Sequence, residues 1–167
     1  MALAASDGVA AIASPLTTHF ESLPFARAAS QPDELLRNWA NVLPQAPTHV
    51  QGHPPGTVLT FMGLDRLGFS DLAVAMVVVF IAASSASAAI IALDRLAGRS
   101  QARRAAVFVG LAPAVVWAGT SVDGMAMGVA AWAVAAAAVA TTTDEHRTAS
   151  VAAVLSGLLA GALLTMT

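Results

Sequence analysis

The sequence contains no cysteine and no lysine, and only 11% of its residues are charged. Without cysteine the chain forms no disulfide, carries no thiolate nucleophile and offers no sulfur ligand to a metal. The eight basic residues are all arginine and the formal net charge is -2, so no excess of positive charge supports a nucleic-acid partner. P-loop, dinucleotide-binding and G-x-S-x-G nucleophile motifs are also absent. We therefore set aside nucleic-acid binding and thiol chemistry.

Apolar residues, in contrast, are abundant. They make up 57% of the 167 residues, and the mean hydropathy is +0.71, far above that of an ordinary soluble domain. This composition predicts an integral membrane protein. Because arginine is used without lysine and alanine is very abundant, as is typical of a GC-rich bacterial genome, we place the protein in the bacterial plasma membrane. The fold class that we predict is all-α: a polytopic transmembrane bundle of about four spans, preceded by an amphipathic helix and a loop.

Four apolar stretches are candidates for membrane spans, because a hydrocarbon core about 30 Å thick needs roughly 20 helical residues. The predicted spans cover residues 72–93, 105–119, 124–140 and 149–166. The second and third are short and are separated by the polar step Thr120-Ser121-Val122-Asp123. A single long helix is the alternative, but it would place Asp123 near the middle of the membrane at a cost of a few kcal/mol.

The arginines predict the orientation, because short cytoplasmic loops retain basic residues. The loop after the first span carries Arg95, Arg99, Arg103 and Arg104, so we place it in the cytoplasm. Residues 1–71 and the Ser121/Asp123 turn then lie on the extracytoplasmic side, and residues 144–147 return to the cytoplasm.

Both ends of the chain suggest a fragment. Residues 1–19 have no basic region and no clear cleavage site after an apolar core, so they do not resemble a signal peptide. Residues 1–71 would have to cross the membrane with no upstream helix, which a missing N-terminal transmembrane helix would explain. The last apolar run continues to the C-terminus without a polar cap.

A helix is expected at residues 32–43 of the outer region. Ser30 is placed as its N-cap, proline occupies the first turn, and Asp33 is positioned to close a capping box and to face the positive helix end. Leu35, Leu36, Trp39, Val42 and Leu43 form one apolar face. The helix either lies in the membrane interface through its tryptophan or packs on neighbouring elements.

The polar segment 48–56 contains Gly52-His53-Pro54-Pro55-Gly56, in which the prolines hold the His53 backbone away from helical geometry. A histidine can donate and accept hydrogen bonds and can titrate near neutral pH, so His53 is a candidate site residue. The alternative is a Pro-Pro turn that starts a helix, with His53 bonded to nearby carbonyls. His49 and His53 alone are too few for a metal site, so we predict none.

Two segments carry a family resemblance. Residues 47–56, followed by 63–68, resemble the first outer loop and second-helix entry of actinobacterial membrane proteins. Residues 112–124 resemble the paired short helices of the same group, with their Thr-Ser-x-Asp turn. These proteins are similar to the C-type superfamily of membrane glycosyltransferases, which includes the dolichyl-phosphate-mannose and arabinose transferases.

The resemblance implies an enzyme that moves a sugar from a polyprenyl-phosphate donor to an acceptor at the outer membrane face. It also implies an acidic residue in the first outer loop that acts as base or positions the acceptor hydroxyl. The nearest candidates here are Glu21, Asp33 and Glu34, none in a clean copy of the family's acidic motif. Because Asp33 has a competing capping role, Glu21 is preferred.

Glycosyl transfer needs a carboxylate to orient or deprotonate the attacking hydroxyl and a group that stabilises the departing phosphate. Either His53 or a divalent cation could serve the phosphate. We predict that His49, His53, Ser121 and Asp123 bind substrate, since the arginine distribution puts them on one membrane face. For Asp123 the competing role is N-cap of the third span.

A noncatalytic bundle is the alternative function: a truncated fragment or small subunit that packs against other membrane helices or a larger partner. In either case the chain contacts membrane lipids.

Overall fold

The computed structural model describes residues 8–29, 31–112 and 119–167, and within these ranges the chain forms helices and turns with no β-strand. The predicted all-α class is confirmed. The described part of the chain begins with a 3-10 helix at Val9–Leu16, and another 3-10 helix lies at Leu43–Gln45. In chain order the α-helices are α1 Ser22–Ala28, α2 Pro32–Arg37, α3 Trp39–Val42, α4 Thr48–Gln51, α5 Gly56–Arg66, α6 Asp71–Ala97, α7 Arg99–Gly110, α8 Val122–Thr142 and α9 His146–Leu164.

Within the described residues, α6, α8 and α9 are long and apolar enough to cross a membrane. They overlap the first, third and fourth predicted spans, with ends that differ by a few residues. The predicted span at 105–119 begins within α7, but residues 113–118 lie outside the described part of the chain. Three candidate spans therefore suggest a membrane protein.

Helices α6 and α8 run parallel and in close contact. Residues later in α6 contact residues later in α8, which shows that the helices are parallel. Gly128 lies against the carbonyl of Ile81, and the Trp132 Nε1–H donates to Ser84 Oγ at 2.9 Å. Further along, a buried cluster consists only of the alanines Ala88, Ala92, Ala135 and Ala138. Small side chains let two helix backbones approach closely. The glycine and alanines at this contact therefore set the distance between α6 and α8.

Parallel packing brings the first residues of α6 and α8 to the same end of the bundle. Each helix begins at a serine whose Oγ accepts a backbone hydrogen bond, Ser70 from Ala73 and Ser121 from Gly124. Helix α9 packs against α8 after a short connection and returns to that end. There, the Gly56 N–H donates to the Thr165 carbonyl at 2.8 Å.

The described residues between 8 and 70, which we call the cap segment, cover this end. The 3-10 helix at Val9–Leu16 packs against α6, and α1 packs against α5. One apolar core joins the cap segment to α6 and α8. Its fully buried members include Leu16 and Phe61 of the cap segment, Val74 of α6 and Met125 of α8.

Arg27 at the end of α1 ties α5 to α6. Its Nε donates to Asp65 at 2.9 Å, and its Nη1 is hydrogen-bonded to Asp71 in the first turn of α6. The hydrogen bond that Arg27 donates to Asp71 raises the pKa of the Arg27 guanidinium above its ordinary value, and Asp65 adds to this effect while burial opposes it. All three side chains are partly exposed, so we regard the cluster mainly as fixing geometry.

The region 32–43, predicted as one helix, forms α2 and α3 with an interruption at Asn38, and the 3-10 helix begins at Leu43. The residue before the helix is Gln31, whose side chain makes no capping bond, while Ser30 lies outside the described residues. Leu35 is buried, and Trp39 packs against the core. These contacts favour packing on neighbouring elements over a free interfacial helix.

We predict that Gly128→Ala loosens the α6–α8 contact, because a Cβ at this position would overlap the Ile81 carbonyl oxygen. Overpacking of this kind costs about 1–3 kcal/mol. The thermal unfolding midpoint of the purified protein, followed by circular dichroism, should fall. Gly161→Ala is the matched control, since its Cβ would meet no atom within 4 Å and alanine favours the helix. An unchanged midpoint for Gly128→Ala would contradict the described contact.

Candidate functional site

A small cavity lies where the cap segment meets the start of α8. Its volume is about 120 Å³. Its walls are formed by Glu21, Ser22, His49, His53, Ser121, Val122 and Asp123. Five of these are residues predicted from the sequence, drawn from three segments far apart in the chain. The cavity has room for a few water molecules or a hydroxyl-bearing group, but it is small against ligand pockets of about 300–1,000 Å³.

Glu21 and His49 form an ion-pair geometry at one wall. Glu21 immediately precedes α1, and its Oε1 lies 2.9 Å from His49 Nδ1. The backbone reinforces this arrangement, because the His49 N–H donates to the Phe20 carbonyl at 3.4 Å. The Glu21 side chain is mostly buried, at 16% exposure, whereas His49 is 56% exposed. A carboxylate that pairs with Nδ1 fixes the orientation of the imidazole ring. The other ring nitrogen, Nε2, then remains for a second interaction.

His53 lies between α4 and α5 in the segment that contains the two prolines. Its backbone N–H donates to the Val50 carbonyl at 3.3 Å, which continues the turn of α4. Pro55 is the N-cap of α5, so the predicted Pro-Pro turn does start a helix. The Nδ1 of His53, however, is buried and has no hydrogen-bond partner among the described residues. The alternative in which His53 bonds nearby carbonyls through this atom is therefore not observed.

Ser121 and Asp123 enter the cavity wall from the start of α8. The prediction that Asp123 serves as the N-cap is wrong: the N-cap is Ser121, whose Oγ accepts from the Gly124 N–H at 3.0 Å. The serine takes this place because its extended backbone and short hydroxyl reach the third N–H of the helix. Asp123 lies in the first turn and is exposed, where the positive end of the helix favours its carboxylate.

The cavity carries two carboxylates and two imidazoles, and no arginine is among its lining residues. Carboxylates and neutral imidazoles accept hydrogen bonds from hydroxyl groups, and such an arrangement also accepts a proton. An anionic phosphate is disfavoured beside Glu21 and Asp123 unless a cation or a protonated histidine compensates. Within the described ranges, no three His, Asp or Glu side chains are placed to hold a metal ion.

Asp33 and Glu34 do not join the cavity. Asp33 is exposed and pairs with Arg37 one turn further along α2. Glu34 lines a different cavity of about 250 Å³, whose other walls include Phe25 and Leu35. Of the three acidic candidates, the structure thus brings only Glu21 next to the histidines.

Two wall residues, Ser22 and Val122, were not identified from the sequence. Each directly follows a predicted site residue in the chain, and Ser22 is a buried polar residue at 2% exposure. The available signal was a serine placed directly before the apolar residues of a short helix, of which it is the first residue. Nothing in the spacing indicated that Glu21 would meet His49, since their contact depends on how α1 packs against α5.

Comparisons with protein-family models, with curated proteins and with solved structures find no match to this chain. Relatives therefore add nothing to the residues described above. The resemblance to membrane glycosyltransferases stays a prediction.

We predict that His53→Leu maintains or raises the stability of the protein. A buried polar atom without a partner costs about 1–3 kcal/mol, and leucine removes it at similar volume. The measurement is the thermal unfolding midpoint in detergent. His49→Leu is the comparison variant and should lower the midpoint slightly, because it leaves the mostly buried Glu21 without its partner. A clear drop for His53→Leu would contradict the description of Nδ1.

Proposed function

We propose that the chain is part of an integral membrane glycosyltransferase that moves a sugar from a polyprenyl-phosphate donor to an acceptor hydroxyl at the outer membrane face. One observation carries this proposal: Glu21, His49, His53, Ser121 and Asp123 line one cavity at the end of a bundle of membrane-length helices. Residues capable of proton transfer thereby face a space at the expected depth of a membrane surface.

The orientation in this proposal follows from charge at the two ends of the bundle. The end opposite the cavity carries Arg95, Arg99, Arg103 and Arg104 around the α6–α7 connection, together with Arg147 at the start of α9. Basic residues are retained on the cytoplasmic side, so the cap segment belongs outside. A fourth span through residues 105–119 would return the chain from the cytoplasmic end to Ser121.

The Glu21–His49 pair supplies the base in this scheme. With Nδ1–H donating to Glu21, Nε2 of His49 takes the proton of the acceptor hydroxyl. The freed oxygen attacks the anomeric carbon of the sugar, whose bond to the phosphate oxygen breaks, and polyprenyl phosphate leaves with that electron pair. Glu21 acts by orienting the ring and by stabilising the imidazolium that forms.

The charge of the cavity indicates which substrate it holds, the acceptor or the donor. Because Glu21 and Asp123 both line the cavity, it suits the acceptor hydroxyl better than the donor phosphate. We therefore assign His53, Ser121 and Asp123 to hydroxyl binding and place the phosphate outside the cavity. This changes the role first expected for His53. A divalent cation would be needed if the phosphate came close to Asp123.

A noncatalytic bundle is the second candidate, and helix α9 is the observation that favours it. Only Ala152 is buried within α9, and a Cβ on Gly157 or Gly161 would meet no atom within 4 Å. A Gly-x-x-x-Gly pair on an apolar helix permits close approach of another helix. In this alternative the chain is a subunit or a fragment that packs against a larger membrane partner.

Transfer of labelled sugar from polyprenyl phosphate, assayed on the reconstituted protein, tests the proposal. Glu21→Gln and His49→Asn should lower kcat about 10²–10⁴-fold, because a positioned base contributes this much. Asp123→Asn should raise the KM for the acceptor. Asp33→Asn is the matched control and should transfer normally, since Asp33 lies outside the cavity. Absence of transfer by the wild type, or equal transfer by all variants, would favour the noncatalytic bundle.

A further inference from the structure

A larger cavity lies at the opposite end of the bundle, between the last turns of α6 and the first half of α7. Its volume is about 520 Å³. Its walls are Ile90, Ile91, Asp94, Arg95, Arg99, Ala102, Arg103 and Ala106. Gly98 separates the two helices with φ 87°, a conformation that glycine adopts readily, and so folds α7 back onto α6.

The charge of this cavity is uncompensated. Arg95, Arg99 and Arg103 face one carboxylate, Asp94, which leaves a formal charge of +2, three positive minus one negative. No salt bridge or side-chain hydrogen bond engages any of these four residues within the described part of the chain. By contrast, each of the three arginines of the cap segment has a partner: Arg27, Arg37 and Arg66.

The remaining walls of the cavity are apolar. Ile90 and Ile91 belong to α6, which is long and apolar enough to span a membrane, and Ala102 and Ala106 belong to α7. In the last turn of α7 and directly after it, Val107, Phe108 and Leu111 are highly exposed, with Phe108 at 79%. The arginines therefore stand where an apolar helix surface begins. A ligand that fits has an anionic head and an apolar tail.

The backbone adds to this preference. Helix α7 begins at the cavity with Gly98 as N-cap and without a capping side chain. The first N–H groups of a helix and its positive end favour an anion, particularly a phosphate. Arginine guanidinium groups bind phosphate oxygens in pairs of hydrogen bonds.

We infer that this cavity binds the headgroup phosphate of an anionic glycerophospholipid, with the acyl chains along the apolar surface of α6. Basic pockets between membrane helices are suited to such headgroups. The site is distinct from the cavity at Glu21 and His49, and the inference does not rest on the proposed transfer reaction. Under this inference the arginines bind a lipid headgroup in addition to setting the orientation of the protein in the membrane.

Binding of phosphatidylglycerol to the purified full chain in detergent, measured by native mass spectrometry, tests the inference. Phosphatidylcholine and soluble glycerol 1-phosphate are the comparison ligands, one without net charge and one without acyl chains. We expect phosphatidylglycerol to bind at least tenfold more tightly than either. Equal binding of phosphatidylcholine would overturn the inference, and equal binding of glycerol 1-phosphate would identify a site for free phosphate instead.

The variants Arg95→Gln, Arg99→Gln and Arg103→Gln should each weaken phosphatidylglycerol binding about fivefold, and together about 100-fold, since each arginine near an anionic headgroup contributes about that factor. Arg104→Gln is the matched control, because Arg104 is exposed on the same helix but does not line the cavity. Circular dichroism checks that each variant is folded. If the triple variant does not fold, the three single variants are enough to test the inference. Wild-type affinity in all three single variants, or an equal loss for Arg104→Gln, would overturn the inference.

Discussion

The parallel contact between α6 and α8 is the constraint on which the rest of the structure depends. Where Gly128 lies against the Ile81 carbonyl, the absence of a side chain lets the two backbones meet, and the alanines further along keep them close. Two parallel neighbours must begin at the same end. That geometry alone brings Ser121 and Asp123 beside the cap segment, and it sends the arginine-rich α6–α7 connection to the opposite end.

Each end of the bundle acquires its own chemistry from this arrangement. At one end, carboxylates and imidazoles share a small cavity that suits hydroxyl binding and proton transfer. At the other, unpaired arginines border an apolar helix surface and suit an anionic headgroup. Low charge elsewhere makes the contrast sharper, because a chain with so few ionisable residues places most of them at these two ends. The transfer site and the lipid site are proposals that rest on separate residues, whereas the membrane orientation and the lipid site rest on the same arginines.

The three membrane-length helices were predictable, because an apolar run such as residues 72–93 is a local property of the sequence. So was the association of His53 with Asp123, through the distribution of the arginines. The contact of Glu21 with His49 was not predictable, since it depends on how α1 packs against α5. Helix α1 was not predicted, and the start of α5 was given only as an alternative for the Pro-Pro turn. The alternative role given to Asp123, N-cap of the third span, belongs to Ser121, because both residue types cap helices and spacing does not distinguish them.

Opposite placement of the two ends across the membrane is tested most directly by cysteine labelling of the protein, which is then purified. The wild-type chain contains no cysteine, so all label on a variant is at the introduced residue. Thr48→Cys in the cap segment and Ser100→Cys in α7 are both at exposed positions. In intact bacterial cells, a membrane-impermeant maleimide should label Thr48→Cys, whereas Ser100→Cys should react only after permeabilisation. Labelling of both variants in intact cells, or of Ser100→Cys alone, would contradict the account.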